Sequence, residues 1–412
     1  MRRIASAGLT TVLALAACAS PSALDPAPSS PSPGVEATSS IEATSPAAQM
    51  WSAPERTTSP MNEKDVAAVD AAVTKALDES ADETPGAWVG IWSPSKGFYV
   101  QAYGEAILPD TAASVADHSY IGSLTKTVTA TVVLQQVAAG SMSLTDTVAD
   151  LDPTLAQTFP PVAEITVEQL LGMTSGLPDY ANEVKGVVGM VAQDPTRAFE
   201  AEDLIRIGLA ANTISPPGTP GYSTTNYIIL GQILKAVTGQ DPEDLINAVF
   251  AEAGMTQSKL NTPPDQDRPT PANHGYAGAL GASDIEAFGG PALPGATDVT
   301  EWRLDWGRAG GGAYSTIEDL GRWGSLGLGT ALLPQQLGEL RLSSTHDTGA
   351  AGLYGLGVQD LGKGWFGHSG QVIGWEAFVA QNVETGAVLA VMVNSTSGLG
   401  DVESAVWDFV AS

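Results

Sequence analysis

The chain has 412 residues, 43% of them hydrophobic and 16% charged, enough to bury one large core or two ordinary ones. Its 18 Lys and Arg stand against 46 Asp and Glu, a formal charge of −28 at pH 7. That balance argues against sequence-independent nucleic-acid binding, which needs a basic surface to displace counterions, and against adhesion to an anionic membrane through basic patches.

The first residues read as an export signal. Met1-Arg2-Arg3 is a positive n-region and Leu9 to Ala17 a short apolar stretch ending in small residues, too short to span a bilayer. Leu15-Ala16-Ala17-Cys18 resembles a bacterial lipobox, which implies a signal peptide over 1–17 and lipidation of Cys18, anchoring an exported protein to the outer face of the cell membrane. The alternative is an ordinary secretory signal and a secreted protein. Cys18 is the only cysteine, so disulfides within the chain and cysteine metal clusters are excluded. Residues 18–60 are rich in Ser, Pro, Ala and Thr and read as a disordered tether with a reach on the order of 35 Å. A folded domain is expected over 61–412.

Helical periodicity runs from Glu63 to Ser80 through Val66, Val69, Val73 and Leu77. A hairpin follows over Trp88 to Tyr103, turning at Pro94-Ser95-Lys96-Gly97. A helix is expected from Ser123 to Gly140. From Leu151 to about Gly338 the character is mostly helical, with capping boxes at Thr166–Gln169 and Ser315–Glu318 and an Asp241-Pro242 start. Strands return at Gln371–Val383 and Ala387–Asn394, around a turn at Glu384-Thr385-Gly386, and Val402–Val410 reads as a closing helix. The order predicts an α+β fold: an antiparallel sheet built from both termini, flanked by helices, with a mostly helical insertion over roughly 140–340. The cleft between the two parts is the natural place for a site.

Ser123 and Lys126 carry the strongest chemical signal. At i and i+3 on a helix they share a face, and a lysine kept neutral by burial can take the proton of a serine hydroxyl. Ser93 and Lys96 have the same spacing, but they lie in the hairpin turn and read as structural. Two more clusters accompany the pair. Pro217-Gly218-Thr219-Pro220-Gly221-Tyr222-Ser223-Thr224 is a loop leading into an apolar helix, and Gly367-His368-Ser369-Gly370-Gln371 leads into a strand.

Ser-x-x-Lys, a Tyr-Ser loop and His-x-Gly, in that order, resemble the penicillin-recognising serine hydrolases. The nearest branch is the one joining class C β-lactamases with soluble D-alanyl-D-alanine carboxypeptidases. The segments Met142–Asp146, Leu170–Leu177, Gly310–Ser315 and Tyr354–Gly357 are similar to the family's connecting segments, so the resemblance spans about residues 65–411. It implies a β-lactamase/transpeptidase-like fold and an acyl-enzyme mechanism without cofactor or metal. The implied nucleophile is Ser123, with Lys126 its proton partner and Tyr222 a proton shuttle or base whose phenol is drawn down by nearby positive charge. His368 would stand beside Tyr222 and the serine. The N–H groups of Ser123 and Gln371 would form the oxyanion hole, and Thr224, Ser369 and Gly370 would contact substrate. Whether Lys126 or Tyr222 is the general base stays open.

Two positions depart from the family pattern. Thr224 stands where an asparagine is expected, which implies slow turnover of amides and β-lactams relative to small esters; Asn226 is expected to face elsewhere. The stretch Val358–Lys363 offers only Lys363 where an arginine often grips a free carboxylate. The expected function is a D-alanyl-D-alanine carboxypeptidase-like hydrolase of cell-wall peptides, acting as a monomer on small-molecule or peptide substrates. A β-lactamase or small-ester esterase is the alternative on the same fold. A different class is a lipid-tethered binder of cell-wall peptide or β-lactam with no catalysis, against which the complete set of reactive side chains argues. A Ser-His-Asp esterase lacks its G-x-S-x-G elbow. His118, His274 and His346 read as structural rather than metal ligands, and Trp302, Trp306 and Trp365 as core or cleft rim.

Overall fold

The structure, a computed structural model, describes residues 49–412 apart from 81–83, 182–185, 279–284, 288 and 295. The export signal, Cys18 and the tether as far as residue 48 lie outside the described residues. The elements that frame the site are helix α1 (Glu63–Glu79), strands β1 (Gly86–Ser93) and β2 (Gly97–Ile107), helices α2 (Thr125–Ala138), α3 (Thr225–Thr238) and α4 (Ile317–Ser325), strands β3 (Trp365–Val372), β4 (Trp375–Asn382) and β5 (Val388–Val393), and helix α5 (Leu399–Ala411).

Among the described residues the main sheet has nine strands, ordered Thr111–Ala112, β2, β1, β5, β4, β3, Gln359–Gly362, Leu353–Tyr354 and His346–Asp347. Both termini meet at its centre: β1 runs antiparallel to β5, with Ala87 opposite Val393 and Trp92 opposite Val388. Side chains alternate along β1 with the two-residue period of a strand. Ala87, Val89 and Ile91 join Val69 and Val73 of α1 and Val402, Val406 and Val410 of α5 in one core. Trp88 and Trp92 enter the other core, shared with α2, α3 and α4. Helices cover both faces, so all of β1 is buried. The Ser93–Lys96 segment is the hairpin turn, with Ser93 opposite Gly97. Lys96 Nζ leaves it to reach Ser412 Oγ at 2.6 Å.

Several boundaries differ from expectation for local reasons. The strand expected over 371–383 is two strands. Ile373-Gly374 forms a tight turn with Gly374 at φ +94°, and Val372 pairs with Trp375 across it; the apolar Ile373 conceals the break. The Thr166–Gln169 capping box forms, but that at Ser315 shifts by one. Ser315 is held extended opposite Ser119, so Thr316 caps α4 by accepting the Asp319 N–H at 3.4 Å. Among the described residues between Glu252 and Asp305 loop and two-residue strands predominate, with helix only at 285–287, and prolines at 263, 264, 269, 271, 291 and 294 interrupt helical runs. Finally, residues 49–60, expected in the tether, pack onto the domain. Trp51 N–H donates to the Leu333 carbonyl at 3.0 Å, and Arg56 lies 4.7 Å above the Trp92 ring and 3.0 Å from Glu318.

Candidate active site

Ser123 sits in a 3-10 turn, Gly122–Leu124, that runs directly into α2. Two glycines press this turn onto β3. A Cβ on Gly370 would stand 1.9 Å from the Ile121 carbonyl and 2.8 Å from the Ser123 nitrogen, and one on Gly122 would stand 2.4 Å from the Gln371 nitrogen. Only hydrogen fits at either position. The close approach brings the Ser123 and Gln371 N–H groups to one place, where paired donors suit a developing oxyanion.

About one turn after Ser123, as the second residue of α2, Lys126 is wholly buried. Its Nζ lies 2.9 Å from Ser123 Oγ and 2.7 Å from the Gly310 carbonyl. Burial draws its pKa down to about 7, against an opposing pull from the Asp179 carboxylate. A neutral amine has N–H groups for the carbonyl and one lone pair for the serine proton, so the geometry matches a base.

Tyr222, half-buried on its loop, hydrogen bonds Ser123, and its ring centroid is 5.1 Å from Lys126 Nζ. The expected lowering of its phenol pKa is not found. Burial raises it well above the ordinary value and outweighs the opposing bond to Ser123. The positive charge invoked to lower it belongs to a lysine that is itself largely deprotonated above pH 7. Tyr222 therefore stays protonated near neutral pH.

His368 is buried beside these groups, its ring centre 6.4 Å from that of Tyr222. Both its nitrogens have other partners: Nε2 is 2.8 Å from the Tyr354 hydroxyl, and Nδ1 meets the Ser369 carbonyl. Burial, helped by Lys126, pulls its pKa down to about 3. The neutral ring donates from Nδ1 and accepts at Nε2, which orients Tyr354 against Tyr222 with ring centroids 6.0 Å apart. Ser369, half-buried, donates its N–H to Gln359 Oε1 at 3.3 Å.

Thr224 is buried, and its hydroxyl is turned to Asp179 Oδ2 at 3.4 Å. Asn226 faces away, accepting from Ser175 Oγ at 2.6 Å. Asp179 and the Gly310 carbonyl are the participants that sequence reasoning missed. The only signal for Asp179 was a carboxylate two residues past a segment already matched, Leu170–Leu177. Lys363 is exposed in the turn before β3, at the opposite end of that strand from Gln371. Trp365 lies in the outer core, 5.0 Å from the Trp407 ring, and Trp306 is core as well. His118 bonds the Pro271 carbonyl at 2.8 Å, His274 pairs with Asp298 at 2.8 Å, and His346 is exposed in an edge strand.

The profile of the beta-lactamase family matches residues 69–408. Penicillin-binding protein 4 of Amycolatopsis lactamdurans is 34% identical over 143 residues, 33% of this chain and 34% of that protein. The chain spans about a third of the length of the curated relatives it matches. Among solved structures, D-amino acid amidase from Ochrobactrum anthropi SV3, complexed with L-phenylalanine amide, has a TM-score of 0.70 at 22% identity, covering 84% of this chain and 97% of the amidase. The D-stereospecific amidohydrolase from Streptomyces sp. has a TM-score of 0.68 at 24% identity, covering 84% and 99%.

Proposed function

The chain belongs to the beta-lactamase family, and on that premise we propose that it is a serine hydrolase whose Ser123 is acylated by D-aminoacyl peptides and amides of the cell envelope. The observation that carries this reading is a wholly buried lysine amine placed 2.9 Å from a serine hydroxyl; burial draws its pKa down to about 7.

In the proposed sequence neutral Lys126 accepts the Ser123 proton as Oγ attacks the substrate carbonyl carbon. The N–H groups of Ser123 and Gln371 hold the resulting oxyanion. The carbon–nitrogen bond then breaks. Tyr222, bonded to Ser123, gives its proton to the departing amine and is reprotonated by Lys126. Water attacks the ester with Lys126 again accepting a proton; the bond between the acyl carbon and Ser123 Oγ breaks, Lys126 returns that proton to Oγ, and the carboxylic acid leaves. Tyr222 acts as a relay and Lys126 as the base, because the phenol stays protonated at the pH where the amine does not.

The D-configured acyl donor is supported by the activities in the names of the two structural relatives, and an acyl donor of the penicillin kind by the penicillin-binding relative. Lys363 is too far along β3 to grip a terminal carboxylate, so amide and peptide leaving groups fit better than strict carboxypeptidase specificity. Lipidation at Cys18 would hold the enzyme on the outer face of the membrane. The test is a substrate panel: D-amino-acid amides, a D-Ala-D-Ala-terminated peptide, their L counterparts, a chromogenic cephalosporin and a p-nitrophenyl ester. Faster turnover of the D-amides or D-peptide is expected. Preference for L-substrates, or turnover of the ester alone, would overturn the assignment.

A further inference from the structure

Three consecutive hydroxyls at the start of α3 bind one short loop. Ser223 Oγ donates to the Pro178 carbonyl at 2.9 Å, and Thr225 Oγ1 donates to the same carbonyl at 2.7 Å while accepting the Tyr180 N–H at 3.2 Å. Between them, Thr224 Oγ1 meets Asp179 Oδ2 at 3.4 Å. The loop is also fixed from behind. Tyr180 donates its hydroxyl to the Trp306 carbonyl at 2.8 Å, and the Ala181 N–H donates to Asp179 Oδ1 at 3.0 Å. The Asp179 carboxylate, 7% exposed, is thereby held at the amino end of α3. That helix has no acid in its first turn and its Thr224 cap makes no side-chain bond to its own N–H groups, so a carboxylate there meets the positive end of the helix dipole.

We propose that Asp179 is a positioning residue of this active site: clamped through the Ser223-Thr224-Thr225 hydroxyls, it sets the negative charge felt by Lys126 and fixes the start of the helix that follows Tyr222. Thr224, on this view, is fitted to Asp179 rather than being a defective amide, and the Gly310 carbonyl supplies the second contact of Lys126. Among the described residues the groups around Lys126 are Ser123 and the Gly310 carbonyl in contact, Tyr222 and Tyr227 with ring centroids at 5.1 and 5.7 Å, His368 on β3, and Asp179, whose partner Thr224 packs against Gly310. Of these Asp179 is the anion. Burial pushes the lysine toward too weak a base and Asp179 opposes it, leaving the amine matched to near-neutral pH, where general-base catalysis is most efficient. The functional consequence rests on Ser123 and Lys126 acting as read above.

The test follows Lys126 directly by NMR in enzyme labelled with 13C at the lysine ε-carbon, in wild type and in Asp179→Asn. In the variant Lys126 should titrate at lower pH, the acid limb of the acylation rate should move with it, and Asp179→Glu should restore part of the shift. A purely structural aspartate would leave both profiles in place, so an unchanged titration in folded Asp179→Asn overturns the proposal. If Asp179→Asn does not fold, Thr224 decides. Thr224→Val should lower the acylation rate about fivefold, the worth of one net hydrogen bond, and Thr224→Ser should restore it; wild-type rates in Thr224→Val overturn the clamp. The titration is read in unreacted enzyme. A shifted Lys126 in a protein never acylated at Ser123 would therefore sink the functional reading and leave this one standing.

Discussion

Lys126 shows what the site requires of a single residue. A fully buried amine whose folded pKa lies near 7 rather than 10.5 binds fewer protons than the unfolded chain between those values. Stability must then rise with pH across that window. Below about pH 7 the lysine costs the fold its full penalty, on the order of 4–5 kcal/mol, and the penalty fades by about pH 10.5. Lys126→Met should consequently melt at higher temperature than wild type at pH 7, with the gap closing toward pH 10.5, while acylation is lost. Thermal melts over that pH range check it, and a variant no more stable at pH 7 would contradict it. Spacing made this residue legible, because i and i+3 positions on a helix must share a face. Asp179 was not legible in the same way. It lies 45 residues from Thr224 in the chain, and no local pattern joins a loop carboxylate to a distant hydroxyl row.

Among the elements, the junction of the Ser123 turn with β3 decides whether the proposed oxyanion donors, the Ser123 and Gln371 N–H groups, can act together. Gly370→Ala would drive a methyl into the Ile121 carbonyl and the Ser123 nitrogen, separating the two N–H groups. Acylation should fall by roughly 10²–10³, the worth of one such donor. Destabilisation should stay near 1–3 kcal/mol, as for other overpacked sites. Stopped-flow acylation with parallel urea unfolding would measure both, and near-wild-type acylation would refute the junction's role. Elements with a clear period were read well from sequence: α1 by its valines, the β1–β2 hairpin by alternation and Pro94–Gly97. Reading failed where one residue blurred the period. Ile373 disguised a turn as strand, and Ser315, a good cap by type, was claimed by pairing with Ser119 instead.

At the scale of the whole molecule, a sheet closed by both termini carries β3 and presents its edge to the turn and loops of the inserted part. The order of strand and helix signals made that architecture legible. Where the domain begins was less so, because Trp51 and Arg56 sit in a stretch whose composition reads as tether yet bury against residues far along the chain. A protein starting at Gln49 keeps those contacts. One starting at Met61 loses the Trp51 and Arg56 contacts and should melt several degrees lower; equal melting of both would show that the segment adds nothing. The proposed function turns on a covalent acyl-enzyme at Ser123 with Lys126 as its base. Its most direct test is intact-protein mass with peptide mapping after mixing with a fluorescent penicillin. One adduct is expected, located on Ser123, with its rate of formation falling below pH 7 and no adduct in Ser123→Ala or Lys126→Met. An adduct that persists in Ser123→Ala, or none in the wild type, would contradict it.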